Sequence, residues 1–273
     1  MEIPLKIHAV AGFAAGFVSS SVLYPLEVVK SRFQVGTHGK FSYVSTMNAL
    51  KTMYSLNGFR ELYRGFPAGL VGSSLSWGMY FYLYNHWKVG ISELRGNSVS
   101  GPLDHWVSSV FSSIVVQTLL CPLWVIKLNQ QLGQSRGGFW STGSHLYQTE
   151  GYRGMYRGLI PGYWTCSHLA VQFVLYEQLS SFLGTGVTST IFSTLVSKSI
   201  ATVLTSPIEV VKVRLRSSKV SVAESIRSIS VSIWRAEGLL GFYRGVGPAL
   251  IRILPAQCLT FVTYEWVKQY AQL

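Results

Sequence analysis

Two motifs occur three times each, always in the same order, and no other feature limits the possible folds as strongly. The first reads YPLEVVKSRFQ from Tyr24, CPLWVIKLNQQ from Cys121 and SPIEVVKVRLR from Ser206. Its prolines, Pro25, Pro122 and Pro207, stand 97 and 85 residues apart. The second ends at Gly65 as NGFRELYRG, at Gly158 as EGYRGMYRG and at Gly245 as EGLLGFYRG. A repeat of this kind means one structural unit built three times. The units run over residues 1–95, 96–185 and 186–273.

Each unit opens with an apolar stretch that runs into the proline motif, roughly residues 7–34, 103–131 and 187–216. A polar stretch with a short amphipathic pattern follows, as from Val44 to Leu56. The YRG glycine then opens a second apolar stretch, roughly residues 66–90, 159–183 and 246–270. These stretches exceed the about 20 residues that cross a bilayer, and the period-2 alternation of a membrane barrel is absent. The expectation is an all-α membrane protein with six transmembrane helices and short helices between them. Gly12 and Gly16, Ser109 and Ser113, and Ser193 and Ser197 are spaced i, i+4, which predicts close helix contacts. A proline inside a spanning helix removes a backbone hydrogen bond and kinks it. Three such kinks at one depth would converge the odd-numbered helices at one end.

Composition agrees with lipid. Apolar residues make up 48% of the chain and charged residues 12%, about half the charged share of a soluble domain. There are 23 Lys and Arg against 11 Asp and Glu, a net +12. In a soluble chain that excess would suggest nucleic acid. Here the cations lie mostly between apolar stretches, where they set orientation and attract anionic lipid. No nucleic-acid partner is expected, and a positive cavity would draw in an anionic solute. Cys121, Cys166 and Cys258 are isolated and the six histidines lack ligand spacing, so neither a disulfide nor a metal site is expected. No cofactor is expected either. A nucleophile elbow, a Walker loop and paired catalytic carboxylates are all missing, which favours a transporter over an enzyme. Met1 to Lys6 leads straight into the first span without a cleavable-signal pattern, so an internal address is expected.

The pattern P-x-[DE]-x-x-[KR] closing each odd helix, with the EGxxG-aromatic-YRG block before each even one, resembles the mitochondrial carrier family over essentially the whole chain. The resemblance implies three pseudo-threefold-related repeats with short matrix helices in a multi-pass protein of the mitochondrial inner membrane. Both termini would lie on the intermembrane-space side, and a central cavity would open alternately to either side. Ionised residues inside a membrane bundle need partners. In the family's matrix gate, Glu27 would meet Lys127 and Glu209 would meet Lys30. The third acid position holds Trp124, so Lys212 would lack a carboxylate there, and the indole face could attract its ammonium instead. Gln34, Gln131 and Arg216 occupy the bracing positions. At the far ends of the even helices, YNHWK supplies Asn85 and Lys88, YEQLS supplies Glu177 and Ser180, and YEWVK supplies Glu265 and Lys268. This cytoplasmic gate would pair Glu177 with Lys268 and Glu265 with Lys88, while Asn85 and Ser180 could share only a neutral hydrogen bond.

The family binds solute midway along the even helices. The seventh residue after each YRG glycine is Gly72, Thr165 and Arg252. From that glycine to the closing acid position there are 20 residues in helices 2 and 6 but 19 in helix 4, which leaves its register open by one residue. Arg252 is the sharpest candidate. A permanent charge inside an apolar span demands an anion or a cavity, and its fork suits phosphate or carboxylate. No acid lies within one helical turn of it in sequence, so its charge is expected to be free for a ligand. Lys198 is a second intramembrane cation. Ser76, Trp77, Tyr80, Ser167, His168, Gln172 and Gln257 complete the polar and aromatic candidates, with Trp77 able to stack on a flat heterocycle. PLWVIK, LSWGMYFYLYN, SHLAVQFVLYE and LIRILPAQCLTFVTYE resemble the folate/FAD carrier branch, near the pyrimidine-nucleotide and NAD carriers. That implies FAD or folate as solute, with NAD or a pyrimidine nucleotide as the alternative. A non-transporting scaffold and a proton-leak channel are the other readings. The remaining expected partner is membrane lipid, cardiolipin first, and the chain is expected to act as a monomer.

Overall fold

The computed structural model describes residues 5–36, 45–94, 102–134, 137–165, 167–184, 186–217 and 225–270, and no strand occurs among them. The first repeat supplies α1 (Leu5–Val35), the short α2 (Thr46–Asn57), the single turn α3 (Phe59–Leu62) and α4 (Phe66–Leu94). The second supplies α5 (Pro102–Gln131), α6 (Phe139–Met155), α7 (Leu159–Trp164) and α8 (Ser167–Leu183). The third supplies α9 (Val187–Arg216), α10 (Ile226–Glu237), a 3-10 turn over Leu239–Tyr243 and α11 (Val246–Tyr270).

Four segments are individually long and apolar enough to cross a membrane: Gly12–Val35, Val107–Gln131, Thr188–Arg216 and Leu239–Tyr270. The other two expected spans are helices of different make-up. α4 has 29 residues, but Gly, Ser, Trp and Tyr recur along it and dilute its hydropathy. The fourth span is broken between α7 and α8, next to Thr165. The break falls where the sequence is one residue short. One missing residue turns everything after it by about 100° on a continuous helix, and an interruption lets α8 recover its face.

α1, α5 and α9 run through Pro25, Pro122 and Pro207 without interruption, and Pro255 sits likewise inside α11. Packing crosses the repeat boundaries: α4 lies along α5, α8 along α9, and α11 along α1, which closes the ring. Ala15, Ser112 and Ser197 are fully buried, each ten positions before its proline. Ser108 and Ser193 extend the same faces. The small-residue stripe is thus one residue off the expected one in repeats 1 and 2. Gly12 and Gly16 face open space, and Ser109 and Ser113 are half-buried. Distance from the proline sets the packed face, whatever small residue happens to sit beside it.

Beyond each proline the odd helix packs on its own short helix. Val28 and Val29 meet Ala49 and Met53 of α2; Val125 and Ile126 meet Leu146 of α6; Val210 and Val211 meet Ile229 and Ile233 of α10. Two cyclic sets of contacts then join the repeats at this proline end. Gly65, Gly158 and Gly245 have φ of 76°, 64° and 86°. A Cβ on them would lie 3.0, 3.0 and 3.1 Å from the carbonyl oxygens of Lys127, Lys212 and Lys30. Conformation and close approach both select glycine. The residue seven after each proline caps the C-terminus of the next odd helix. Arg32 Nε donates to the Gln131 carbonyl at 3.0 Å, Asn129 Nδ2 to that of Arg216 at 3.1 Å, and Arg214 Nε to that of Gln34 at 3.0 Å. Carbonyls left over at a helix end are thereby satisfied.

A buried acid holds each of these junctions, a feature the sequence reading missed. Glu237 pairs with Arg214 at 2.7 Å and Arg244 at 2.9 Å, and Glu150 pairs with Arg157. Repeat 1 has Asn57 where the others have this glutamate, and Glu61 takes over, pairing with Arg32 and, at 3.2 Å, with Arg64. The signal was the base seven residues after Pro25 and Pro207, which needs an acid partner once buried. Removing one partner of a buried pair costs about 3–5 kcal/mol. Glu61→Gln should therefore lower the melting temperature in detergent by several degrees. Adding Asn57→Glu, which restores the acid of the other repeats, should recover most of the loss.

Candidate functional site: a cationic cavity above a ring of ion pairs

The motif places an acid and a base three residues apart, so both project from one side of each helix end. Lys127 of α5 lies 2.6 Å from Glu27 of α1, and Lys30 of α1 lies 2.8 Å from Glu209 of α9. The third junction differs from the expected cation–π contact. The ammonium over Trp124 belongs to Lys127, 4.9 Å from the ring centroid, because the two share a face one turn apart on α5. Lys212 instead donates to the Thr165 hydroxyl at 3.3 Å.

Arg252 also departs from expectation. Its guanidinium is 3.0 Å from Glu27 Oε2, so the charge is not free. The partner lies on α1, 225 residues away in sequence, which is why a search within one turn did not find it. Glu27 consequently holds two cations, one on each oxygen.

Above this ring lies a cavity of about 300 Å³, bordered by Lys30, Thr165, His168, Lys198, Lys212 and Arg252 among others. A second cavity of about 210 Å³ lies at the ring itself and shares Lys30, Glu209, Lys212 and Arg252 with the first. Glu27, Lys127 and Trp124 also border this second space. His168 Nδ1 is 2.9 Å from the Thr205 hydroxyl. Lys198 has no carboxylate within ion-pair distance among the described residues. Lys30, Lys127, Lys198, Lys212, Arg216 and Arg252 thus border the two spaces, whose lining acids are Glu27 and Glu209. Such an imbalance calls for a counter-charge from an anion.

Thr202 and Thr205 also line the larger cavity and were not singled out in the sequence. Lys198, Thr202, Thr205, Glu209 and Lys212 recur at i, i+4, i+7, i+11 and i+14, one polar face of α9. Following that face forward from Lys198 would have found them.

Other candidates lie elsewhere. Gly72 is a packing position: a Cβ there would come 2.5 Å from Leu123 Cδ2 and 3.4 Å from Trp124 Cη2. Trp77 is 58% exposed, stacked on Phe81 and edge-on to Tyr80, and borders neither cavity. Ser76, Tyr80, Gln172 and Gln257 are half-buried and border neither cavity. Ser167 begins α8, and its side chain lies outside the described residues.

Gln131 donates to the Tyr24 hydroxyl at 3.0 Å and accepts from Ser31 at 2.9 Å. Gln34 packs against Gly245, and Arg216 is buried against Gly158. At the far end of the bundle, neither Glu177–Lys268 nor Glu265–Lys88 is formed. Lys268 lies 3.7 Å from Glu265 on its own helix instead, and Asn85 and Glu177 are exposed. Ser180 is half-buried. A bundle drawn together at the proline end by the ion pairs and cyclic contacts leaves this second set of charges apart.

A threefold helical bundle in a membrane, closed at one end around a cationic cavity, defines a solute transporter. The chain belongs to the mitochondrial carrier family, whose model, described as mitochondrial carrier protein, matches residues 2–94, 98–187 and 185–273. It is 32% identical to the chloroplastic folate transporter 1 of Arabidopsis thaliana, over 94% of this chain and 93% of that one. It is 34% identical to an uncharacterised mitochondrial carrier of Schizosaccharomyces pombe, over 95% of each. It is also 30% identical to the chloroplastic nicotinamide adenine dinucleotide transporter 1 of Arabidopsis thaliana, over 96% and 91%.

The shared carboxylate makes a double-mutant test direct. Glu27→Gln leaves Lys127 and Arg252 without their acid and should lower the melting temperature more than Arg252→Ala does. The double variant should be less destabilised than the sum of the two, with a coupling of about 0.5–3 kcal/mol expected for residues in one network. Additive effects in detergent melts would mean that the two residues do not interact.

Proposed function

We propose that this protein moves an anionic, heterocycle-bearing cofactor, FAD or folate, across the mitochondrial inner membrane by alternating access. NAD or a pyrimidine nucleotide is the alternative. The observation that carries the reading is the excess of cations around the joined cavities, with Arg252 facing both. The folate and dinucleotide transporters among its relatives supply the solute class. Lipid around the bundle, cardiolipin included, and a monomeric carrier complete the proposal.

The chemistry is binding and release, with no bond made or broken in the solute. Arg252 is the central residue because its guanidinium is paired with Glu27 of the ring. An arriving phosphate or carboxylate competes with Glu27 for the guanidinium fork, where two parallel charge-assisted hydrogen bonds are available. Lys198 and Lys212 add positive charge beside it, and Thr165 and His168 add neutral polar contacts. As the solute draws Arg252 away, the ring keeps only Glu27–Lys127 and Lys30–Glu209. Buried ion pairs are near balance between Coulomb attraction and desolvation, so a modest binding energy is enough to part them. In this role Glu27, Lys30, Trp124, Lys127, Glu209 and Lys212, braced by Gln34 and Gln131, form the matrix gate. Once it opens, Glu177–Lys268 and Glu265–Lys88 would close the cytoplasmic side.

Arg252→Lys keeps the charge but loses the fork, and Arg252→Ala loses both. A hydrogen bond to a charged group contributes about 1.5–3 kcal/mol. Uptake of the solute into liposomes should therefore fall roughly 10- to 100-fold in Arg252→Ala and less in Arg252→Lys. The solute should also raise the melting temperature of the wild type, since it binds only the folded state, and that shift should vanish in Arg252→Ala. Wild-type uptake by Arg252→Ala would remove this arginine from the site. Failure of folates, FAD, NAD and pyrimidine nucleotides alike to be transported would overturn the solute class.

A further inference from the structure

The solute reading calls for an aromatic surface near the cationic floor, and Trp77, the candidate from sequence, borders neither cavity. Three observations point to a different residue. First, Gly72 occupies the place on α4 that corresponds to Arg252 on α11 and Thr165 after α7, yet it has no side chain to offer. Second, that vacancy is filled from the neighbouring helix: Leu123 Cδ2 would lie 2.5 Å from a Cβ on Gly72, and the Trp124 ring atoms Cη2 and Cζ2 3.4 and 3.6 Å from it. A Cβ at position 72 would have to displace Leu123, while the indole stands at ordinary contact distance. Third, Trp124 borders the same 210 Å³ space as Arg252, Lys127 and Lys212. The Lys127 ammonium lies over the ring, 4.9 Å from its centroid.

We propose that Trp124 is a specificity-determining residue that stacks on the heterocycle of the solute while Arg252 holds its anionic end. The proposal rests on the reading of the solute as a ring-bearing anion. A space of about 210 Å³ is below the about 300–1,000 Å³ of pockets that enclose a whole drug-sized ligand. It suits one ring and one anionic group, with the rest of the solute in the larger cavity above. The position normally given to an acid in the ring of ion pairs is thus given over to recognition. The sequence shows the substitution, but only the cavity lining shows that the indole borders the site.

The test compares the wild type with Trp124→Leu, Trp124→Met, Trp124→Phe and Trp77→Leu, purified in detergent. Apparent affinities are read from ligand-induced thermal stabilisation by folate, FAD and NAD, and by inorganic pyrophosphate as a ring-free anion. Loss of one base–aromatic stack is expected to weaken ring-bearing anions roughly 5- to 150-fold. Trp124→Leu and Trp124→Met should show that loss while pyrophosphate stays within about twofold, Trp124→Phe should recover most of it, and Trp77→Leu should match the wild type. Equal weakening of pyrophosphate and the ring-bearing anions would make Trp124 a purely structural gate residue and overturn the proposal. Selective loss in Trp77→Leu, with no effect at Trp124, would overturn it in favour of α4. A wild type stabilised by pyrophosphate but by no ring-bearing anion would overturn the solute reading and this proposal together. A ring-selective wild type with unaltered Trp124 variants would overturn this proposal alone.

Discussion

Glu27 ties the first repeat to both of the others: Lys127 comes from repeat 2 and Arg252 from repeat 3. One carboxylate at the centre of a membrane bundle cannot remain without cations, because its desolvation would cost several kcal/mol. Its two oxygens satisfy that demand from two directions. The arrangement is stable but not deeply so, since the Coulomb gain of a buried pair is largely offset by the hydration its members lose. A transporter needs that balance. A ring held by large apolar burial would not open, and one without charge would have nothing for an anion to compete with.

The contacts around the ring divide the labour. The apolar clusters on α2, α6 and α10 fasten each odd helix to its own repeat. The backbone contacts of Gly65, Gly158 and Gly245, and the caps from Arg32, Asn129 and Arg214, join one repeat to the next. Backbone carbonyls are neutral and present whatever the side chains are. They can keep the repeats in register even where a side chain has been lost, as at Asn129, which has no charge but still makes the cap.

Much of this was legible in the sequence because it depends on local spacing. Three prolines with an acid two and a base five positions later, less one acid, give the helix ends and the closing end, while the Glu27–Lys127 and Lys30–Glu209 pairings came from the resemblance to the carrier family. The one-residue deficit in helix 4 marked the place where the helix breaks. What was missed depends on contacts between distant elements. Arg252 and Glu27 are 225 residues apart in sequence, and no spacing rule links α11 to α1. Gly12 and Gly16 were chosen for their size, but the packed face of α1 is set by its distance from Pro25 and carries Ala15 and Ser19 instead. The sequence offered Trp77 for stacking and Trp124 only for the gate. Only the packing of α4 against α5 separates an outward tryptophan from one at the cavity.

The departures from threefold symmetry share a physical logic. The features kept in all three repeats, the proline, the YRG glycine and the carbonyl cap, all serve the frame. Several of those that differ border the cavities: Trp124 for an acid, Thr165 beside the break, and Arg252 and Lys198, whose positions carry no charge in the other repeats. A solute of the proposed kind would carry one anionic end and one flat end, and a strictly threefold site would fit neither. Recognition therefore requires the repeats to differ where they meet the solute, and opening requires them to stay alike where they meet each other. The chain meets both demands by keeping symmetry in the backbone contacts at the proline end and breaking it in the side chains one turn further in.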